Sequence, residues 1–300
     1  MSKSNKNKDF NHLLYMAQIV EARDPYTAGH LWRVAQFSKL LAKKLKLNST
    51  DTFHITLGAY LHDLGKISVS DQILSKKDQL ESGERLQMHS HSEMGYRALA
   101  KHELSEEISH LARHHHESWD GYGYPHQLKG TEIPYGARLL CIVDAFDAMT
   151  STRPYRKAMP IEKAFEAIKQ GSGKQFDPEM TDAFLSIDVE KLKHIIGHSD
   201  IDRALLECPA CGPVVEMPEE GLTTTFCRVC TGKFDVKKDE TGKTWIDFAD
   251  AYGKPEDLIA DPNMDHVASV FSDIQVTKKR WLPSWFKMKS PSHTASAHVR

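Results

Sequence analysis

Between Arg113 and Pro125 the chain reads RHHHESWDGYGYP, three consecutive histidines followed by two carboxylates and a Gly-Tyr-Gly-Tyr-Pro turn. Neutral imidazole is a common metal ligand, yet a histidine run alone reads equally well as a solvated loop. The rest of the chain shifts that balance. Eleven of the 17 histidines lie between His30 and His126. His62 and Asp63 are adjacent at the end of an apolar stretch, AYLHDLGK. Such a pair can bind one metal through its imidazole and reach a second through the carboxylate, which has two oxygens to share. Taken alone, it reads as an ordinary hydrogen-bonded pair. Its companions are His30, His91, the pair His115 and His116, and Asp144, in four blocks on separate expected helices. A second constellation, CPAC at 208–211 and CRVC at 227–230, has the paired C-x-x-C spacing of a four-cysteine zinc site.

The elements that must position these residues are helical over roughly 9–190. Val34, Phe37, Leu41 and Leu45 form one apolar stripe, and a helix entered through NSTD runs into His62 and breaks at Gly65. Further helices are expected near 84–100, 104–116, 134–150, 160–170 and 178–187, with Asp24 as the cap of the helix carrying His30. Ligands projecting inward from several helices into one cavity is how a bundle builds a metal site. From Cys208 the texture changes to short Val/Thr/Phe-rich pieces with Gly and Pro, the pattern of strands and knuckles. The expected organisation is a helical domain over 9–190, a helical connector over 191–206, a zinc ribbon-like module over 207–250, and a partly flexible extension over 251–300.

Composition narrows the function. Lys and Arg total 39 against 41 Asp and Glu, a net charge of −2, so no global basic field favours nucleic acid. The start lacks a secretory h-region and no apolar run is long enough to span a bilayer, which predicts a cytoplasmic protein. In that reducing compartment the C-x-x-C pairs read as metal ligands, and Cys141, within LLCIVDAF, reads as core.

The blocks HDLGK, HSEMG, HHESWDGYGYP, DAFDAM and RPYRK, in this order and over about Asp24 to Asp177, resemble the HD-GYP family of HD-domain metal-dependent phosphohydrolases. The resemblance implies an all-α HD-type helical domain, here followed by a small β-rich zinc ribbon-like module. It implies hydrolysis of cyclic di-GMP to pGpG or GMP by a hydroxide bridging two divalent transition-metal ions, Fe, Mn or Zn. It also implies the ligands His30, His62, Asp63, His91, His115, His116 and Asp144. Lys66 matches a family lysine and is the candidate phosphate contact, with a charge complementing the helix dipole as the alternative. Arg153 and Arg156 suit phosphate oxygens and a guanine edge, or else a surface ion-pair network. Asp147 corresponds to a position that orients substrate or supports a ligand histidine. Gly121 and Gly123 would let the loop turn tightly and set Tyr124 beside the site. The family associates this loop with substrate access and with docking of diguanylate cyclase (GGDEF) domains. His114 reads as a bystander, while Glu117 and Asp120 support the ligands or cap the loop.

Two features depart from the family pattern. His91 is followed by Ser92 where proline is common, and Tyr26 stands four residues before His30 where some members place a glutamate for a third ion. Two catalytic-site ions are therefore expected. Only about twenty residues precede the stretch that resembles the family, so a sensory input is expected from elsewhere. The four cysteines Cys208, Cys211, Cys227 and Cys230 would hold one structural zinc in a module suited to protein docking. A homodimer is compatible with all of this, and the basic, aromatic stretch from Lys278 reads as a loosely held tail, or else as a membrane-surface or partner-docking segment.

Overall fold

The helical periodicity of the first two thirds of the chain becomes ten α-helices among the described residues, which are 3–24, 27–76, 78–100, 105–152, 156–200, 203–218, 221–227, 229–241, 243–254, 270–271 and 274 of the computed structural model. Tyr26, Arg153 and the tail from residue 275 lie outside the described residues. In chain order the helices are α1 (Lys3–Ala22), α2 (His30–Lys44), α3 (Ser49–Leu61), α4 (Asp71–Leu74), α5 (Ser82–Leu99), α6 (Ser105–His114), α7 (Tyr135–Thr150), α8 (Ile161–Gln170), α9 (Pro178–Leu185) and α10 (Val189–Lys193).

The apolar stripe of α2 does what its spacing demands. Val34, Phe37 and Leu41 are fully buried and Leu45 packs at the edge of the same core, against α3, α7 and α9. At the start of α3 the Asn48 side chain accepts the Asp51 amide, a cap that fixes where the helix begins. The expected cap of α2 is different. That helix follows Gly29, not Asp24, and Glu21 Oε1 of α1 accepts the free Leu31 amide in its first turn at 2.8 Å.

After His62 the chain tightens into a 3₁₀ turn, Leu64–Ser68, that lies against α5. A Cβ on Gly65 would stand 1.9 Å from the His91 carbonyl oxygen and 2.4 Å from the Gly95 amide. Only glycine lets the turn after Asp63 approach the helix that carries His91 this closely.

The cysteine-bearing region is strand-rich, as its composition predicts. A hairpin of β1 (His198–Asp200) and β2 (Arg203–Ala204) precedes a second, β3 (Leu206–Cys208) with β4 (Gly212–Val215), and an antiparallel sheet of β5 (Thr224–Phe226), β6 (Gly232–Lys238) and β7 (Thr244–Tyr252). Its small core is Leu206, Val214, Val215, Cys208, Cys227 and Phe234.

The connector expected to be helical is so only over α10 and then becomes the β1–β2 hairpin. The described part of the extension reaches the helices. Val270, Phe271 and Ile274 are buried in the helical core, together with Leu192 and Ile195 of the connector. Phe271 packs 5.6 Å from the Phe53 ring and 6.4 Å from Tyr60, and Lys39 Nζ of α2 donates to the Val270 carbonyl at 3.1 Å. The apolar content of this late segment is satisfied by returning to α2 and α3.

Candidate metal centre

Five elements bring the sequence-picked ligands to one place: His30 opens α2, His62 and Asp63 close α3, His91 lies in α5, His115 and His116 follow α6, and Asp144 lies in α7. Their donor atoms cluster as His30 with His62 and Asp144, and His91 with His115 and His116, each group within 4.8 Å, with His62, Asp63 and His115 forming an equally close set that joins the two. Asp63 stands between them. Its Oδ2 is 3.6 Å from His30 Nε2 and 3.5 Å from His62 Nε2, while Oδ1 is 3.6 Å from His91 Nε2. One carboxylate thus turns one oxygen to each group.

The ring nitrogens show what such an arrangement needs. His62 Nδ1 lies 2.6 Å from the Ala59 carbonyl, His91 Nδ1 2.6 Å from Met88, and His115 Nδ1 2.9 Å from Ala112. A carbonyl only accepts, so each Nδ1 carries the proton and each Nε2 presents a lone pair inward. His91 Nε2 and His115 Nε2 then face one another at 3.3 Å with no proton between them. Two lone pairs that close repel. About 3.3 Å is also the separation of two nitrogens that share one tetrahedral cation at metal–nitrogen lengths of about 2.0–2.1 Å. The donor set fits divalent metal ions.

Electrostatics points the same way. Burial lowers His91, and it lowers His115 and His116 further with help from neighbouring imidazoles, so all three stay neutral donors, His116 near pKa 3. Burial would also lower His30, but hydrogen bonds to Asp147 and Asp63 and the charge of Asp144 raise it to about 9. Burial opposes ionisation of Asp63; Lys66 and the surrounding imidazoles outweigh it and hold the carboxyl well below its usual range. The pocket concentrates negative charge on the His30 side, where a cation would replace the proton.

The expected substrate contacts divide. Lys66 Nζ lies 2.6 Å from Asp63 Oδ2 and is partly exposed, at the edge of the centre. Asp147 is completely buried, with Oδ2 2.8 Å from His30 Nδ1 and Oδ1 accepting Arg33 Nε at 2.6 Å. It orients a ring. Arg156 turns back on α7, where its Nη2 donates to the Ala148 carbonyl and its buried Nε has no partner among the described residues. That contact differs from the free guanidinium fork expected for phosphate.

The loop after His116 is built around Glu117, which is buried and accepts the His126 and Leu128 amides at 2.8 and 3.1 Å. Gly123 crosses so close that a Cβ there would meet the Ser118 amide at 2.2 Å. Asp120 caps the near side, accepting the Ser118 hydroxyl and the Tyr122 amide. Tyr124 lies beside the centre as expected, but its ring is sandwiched, 3.7 Å from His89 and 4.7 Å from His116. Both faces are covered, leaving the ring edge and hydroxyl for any ligand.

Three residues escaped the sequence reading. His89 sits two residues before a ligand, and the odd spacing gave no helical-face signal. Glu21 acts by accepting the Leu31 amide of the next helix, and Arg33 acts far along the chain, reaching Asp147 and also donating to the His198 carbonyl at 2.9 Å.

Away from this centre, Cys208, Cys211, Cys227 and Cys230 bring their sulfurs within 4.8 Å of one another, with Cys208 Sγ 3.7 Å from Cys230 Sγ. This four-thiol set matches a closed tetrahedral zinc site. Cys141 is a buried core thiol, as expected. No helix among the described residues is long and apolar enough to cross a membrane.

Comparison with known proteins places this centre in a family. The chain is 38% identical over 186 residues to a cyclic di-GMP phosphodiesterase of Thermotoga maritima, an alignment covering 60% of this chain and 50% of that protein. It is 38% identical over 162 residues to 3'3'-cGAMP-specific phosphodiesterase 3 of Vibrio cholerae, covering 54% and 35%. A probable cyclic di-GMP phosphodiesterase of Vibrio cholerae is 39% identical over 188 residues, covering 57% and 42%. The chain thus spans half or less of the length of these relatives. The HD domain model matches residues 15–180, the stretch that carries both histidine groups and the aspartate between them, and the chain belongs to the HD domain family.

Proposed function

We propose that the helical domain is a metal-dependent phosphodiesterase that hydrolyses cyclic di-GMP to pGpG, GMP or both. The observation that carries this reading is Asp63, whose two oxygens face two separate sets of imidazoles. His30, His62 and Asp144 would hold one divalent ion, His91, His115 and His116 a second, and Asp63 would serve both. Fe, Mn or Zn bound there would supply Lewis acidity toward a phosphodiester and a nucleophilic water at neutral pH. The chain's own groups do the rest. Lys66, paired with Asp63, adds positive charge where a non-bridging phosphate oxygen approaches. Asp147, anchored by Arg33, keeps the His30 Nε2 lone pair aimed inward. The Tyr124 hydroxyl is the group of that ring able to hydrogen-bond substrate, and Arg156 and Arg153 remain candidates for phosphate. Water adds to phosphorus, the P–O3′ bond breaks, and the departing 3′ oxygen takes a proton, which leaves the 5′-phosphate of pGpG.

A second cyclic dinucleotide is favoured by a specific observation: the cGAMP-specific relative is as similar to this chain as the cyclic di-GMP enzyme. Turnover assays on metal-loaded protein with cyclic di-GMP, 3'3'-cGAMP and pGpG separate the two. Cleavage of none of them by folded protein with two catalytic-site ions would overturn the enzymatic reading.

The four-cysteine cluster would hold one structural zinc, and the strand-rich module around it offers a docking surface for protein. Tyr122, 89% exposed at the tip of the loop, is the side chain best placed to meet a GGDEF domain. A nucleotide substrate and free thiols suit a cytoplasmic setting.

A further inference from the structure

Beside the metal centre, and sharing no residue with it, His114, Glu117 and His126 bring one donor atom each within 4.8 Å of one another. His114 is the last residue of α6 and 7% exposed, and its Nδ1 is buried without a hydrogen-bond partner among the described residues. Buried imidazole nitrogens are ordinarily paired, and an orphan is a specific signal. Glu117 Oε1 lies 3.6 Å away, too far for a hydrogen bond. It is close to the separation of about 3.3 Å that two donors adopt on one tetrahedral ion. Glu117 has accepting capacity to spare: its carboxylate takes the His126 and Leu128 amides and still offers unused lone pairs. The third donor, the His126 side chain, is exposed, and its ring lies 5.3 Å from that of His114. A rigid buried pair and one solvent-facing arm form an entry path for an ion.

We propose that His114, Glu117 and His126 form a further metal site, for a borderline divalent cation of the zinc class. Two imidazoles and a carboxylate are a common donor set for such an ion, with water completing four-coordination. Its consequence is mechanical. The ion joins the end of α6 to the far limb of the loop that holds Tyr124 between His89 and His116, and so fastens the loop over the centre. The inference holds whatever the centre hydrolyses.

The test uses the full chain and zinc alone. After equilibrium dialysis at a fixed micromolar free zinc concentration, metal per chain is compared for the wild type and His126→Ala, a surface substitution that leaves Glu117 and the loop amides in place. Trypsin cleavage after exposed Lys129 is followed with and without zinc. The expected result is about one zinc ion fewer per chain in the variant, and zinc protection of Lys129 in the wild type only. Equal zinc content in the two proteins, with Lys129 cleaved alike, would overturn the proposal.

Discussion

Asp147 Oδ2 lies 2.8 Å from His30 Nδ1, with neither residue more than 3% exposed, so an imidazole of the candidate centre is held from behind by a carboxylate that is itself held by Arg33. Removing Asp147 therefore does two things. It frees the His30 ring, and it strands the Arg33 guanidinium, 2% exposed, without its counter-charge. Asp147→Ala is expected to cost about 3–5 kcal/mol in urea unfolding, and Asp147→Asn distinctly less. Both should lower metal affinity by about 10–100-fold. Unchanged stability in Asp147→Ala would show that Arg33 finds another partner.

Asp63 acts directly on the centre. Losing an orienting group behind a ligand costs about 10–100-fold, so loss of the carboxylate between both groups should cost at least that in kcat. Asp63→Ala should keep its helical circular dichroism, because the side chain fills little of the core. Phosphodiester cleavage at wild-type rate by the folded variant would rule out the proposed role.

Glu21 carries a pH dependence whose sign can be worked out. Burial raises its pKa to about 7, against the lowering effects of the Leu31 amide, His30 and Arg33. The folded state thus binds the proton more tightly than the unfolded chain does. Stability contributed by the protonated form is present below the ordinary glutamate pKa and falls as pH rises through about 7. Glu21→Gln keeps an acceptor for the Leu31 amide and loses the titration. It should match the wild type at pH 4 and exceed it by about 1–3 kcal/mol at pH 8 in urea unfolding. A constant difference at both pH values would refute this origin.

Phe271 tests the domain boundary. It lies well past the last cysteine yet packs on Phe53 and Tyr60 in the helical core, 1% exposed. Phe271→Ala should destabilise the helical domain by about 3–5 kcal/mol, read by helical circular dichroism in urea. A chain ending at Glu190 also lacks Leu192, Ile195, Val270 and Ile274 and should lose its cooperative transition. A cooperative, metal-binding truncation would restore the simpler division.

Much of this protein was legible from its order of residues. Helix spacing, the Asn48 cap and the paired cysteines are local patterns, set by neighbours within a few positions, and the structure contains each of them. The seven residues expected as ligands were found through blocks of sequence, and the fold brings their donor atoms together. Contacts made at long range were hidden. Asp147 lies 114 positions from Arg33, His89 covers the face of Tyr124, and the chain returns at Val270 to close the core it began with. Sequence determines which side chains are available and on which face of a helix they stand. Which oxygen meets which guanidinium, and which ring face stays open, was decided by packing, because burial gives every polar group a need for a partner and only the folded chain determines which one is within reach.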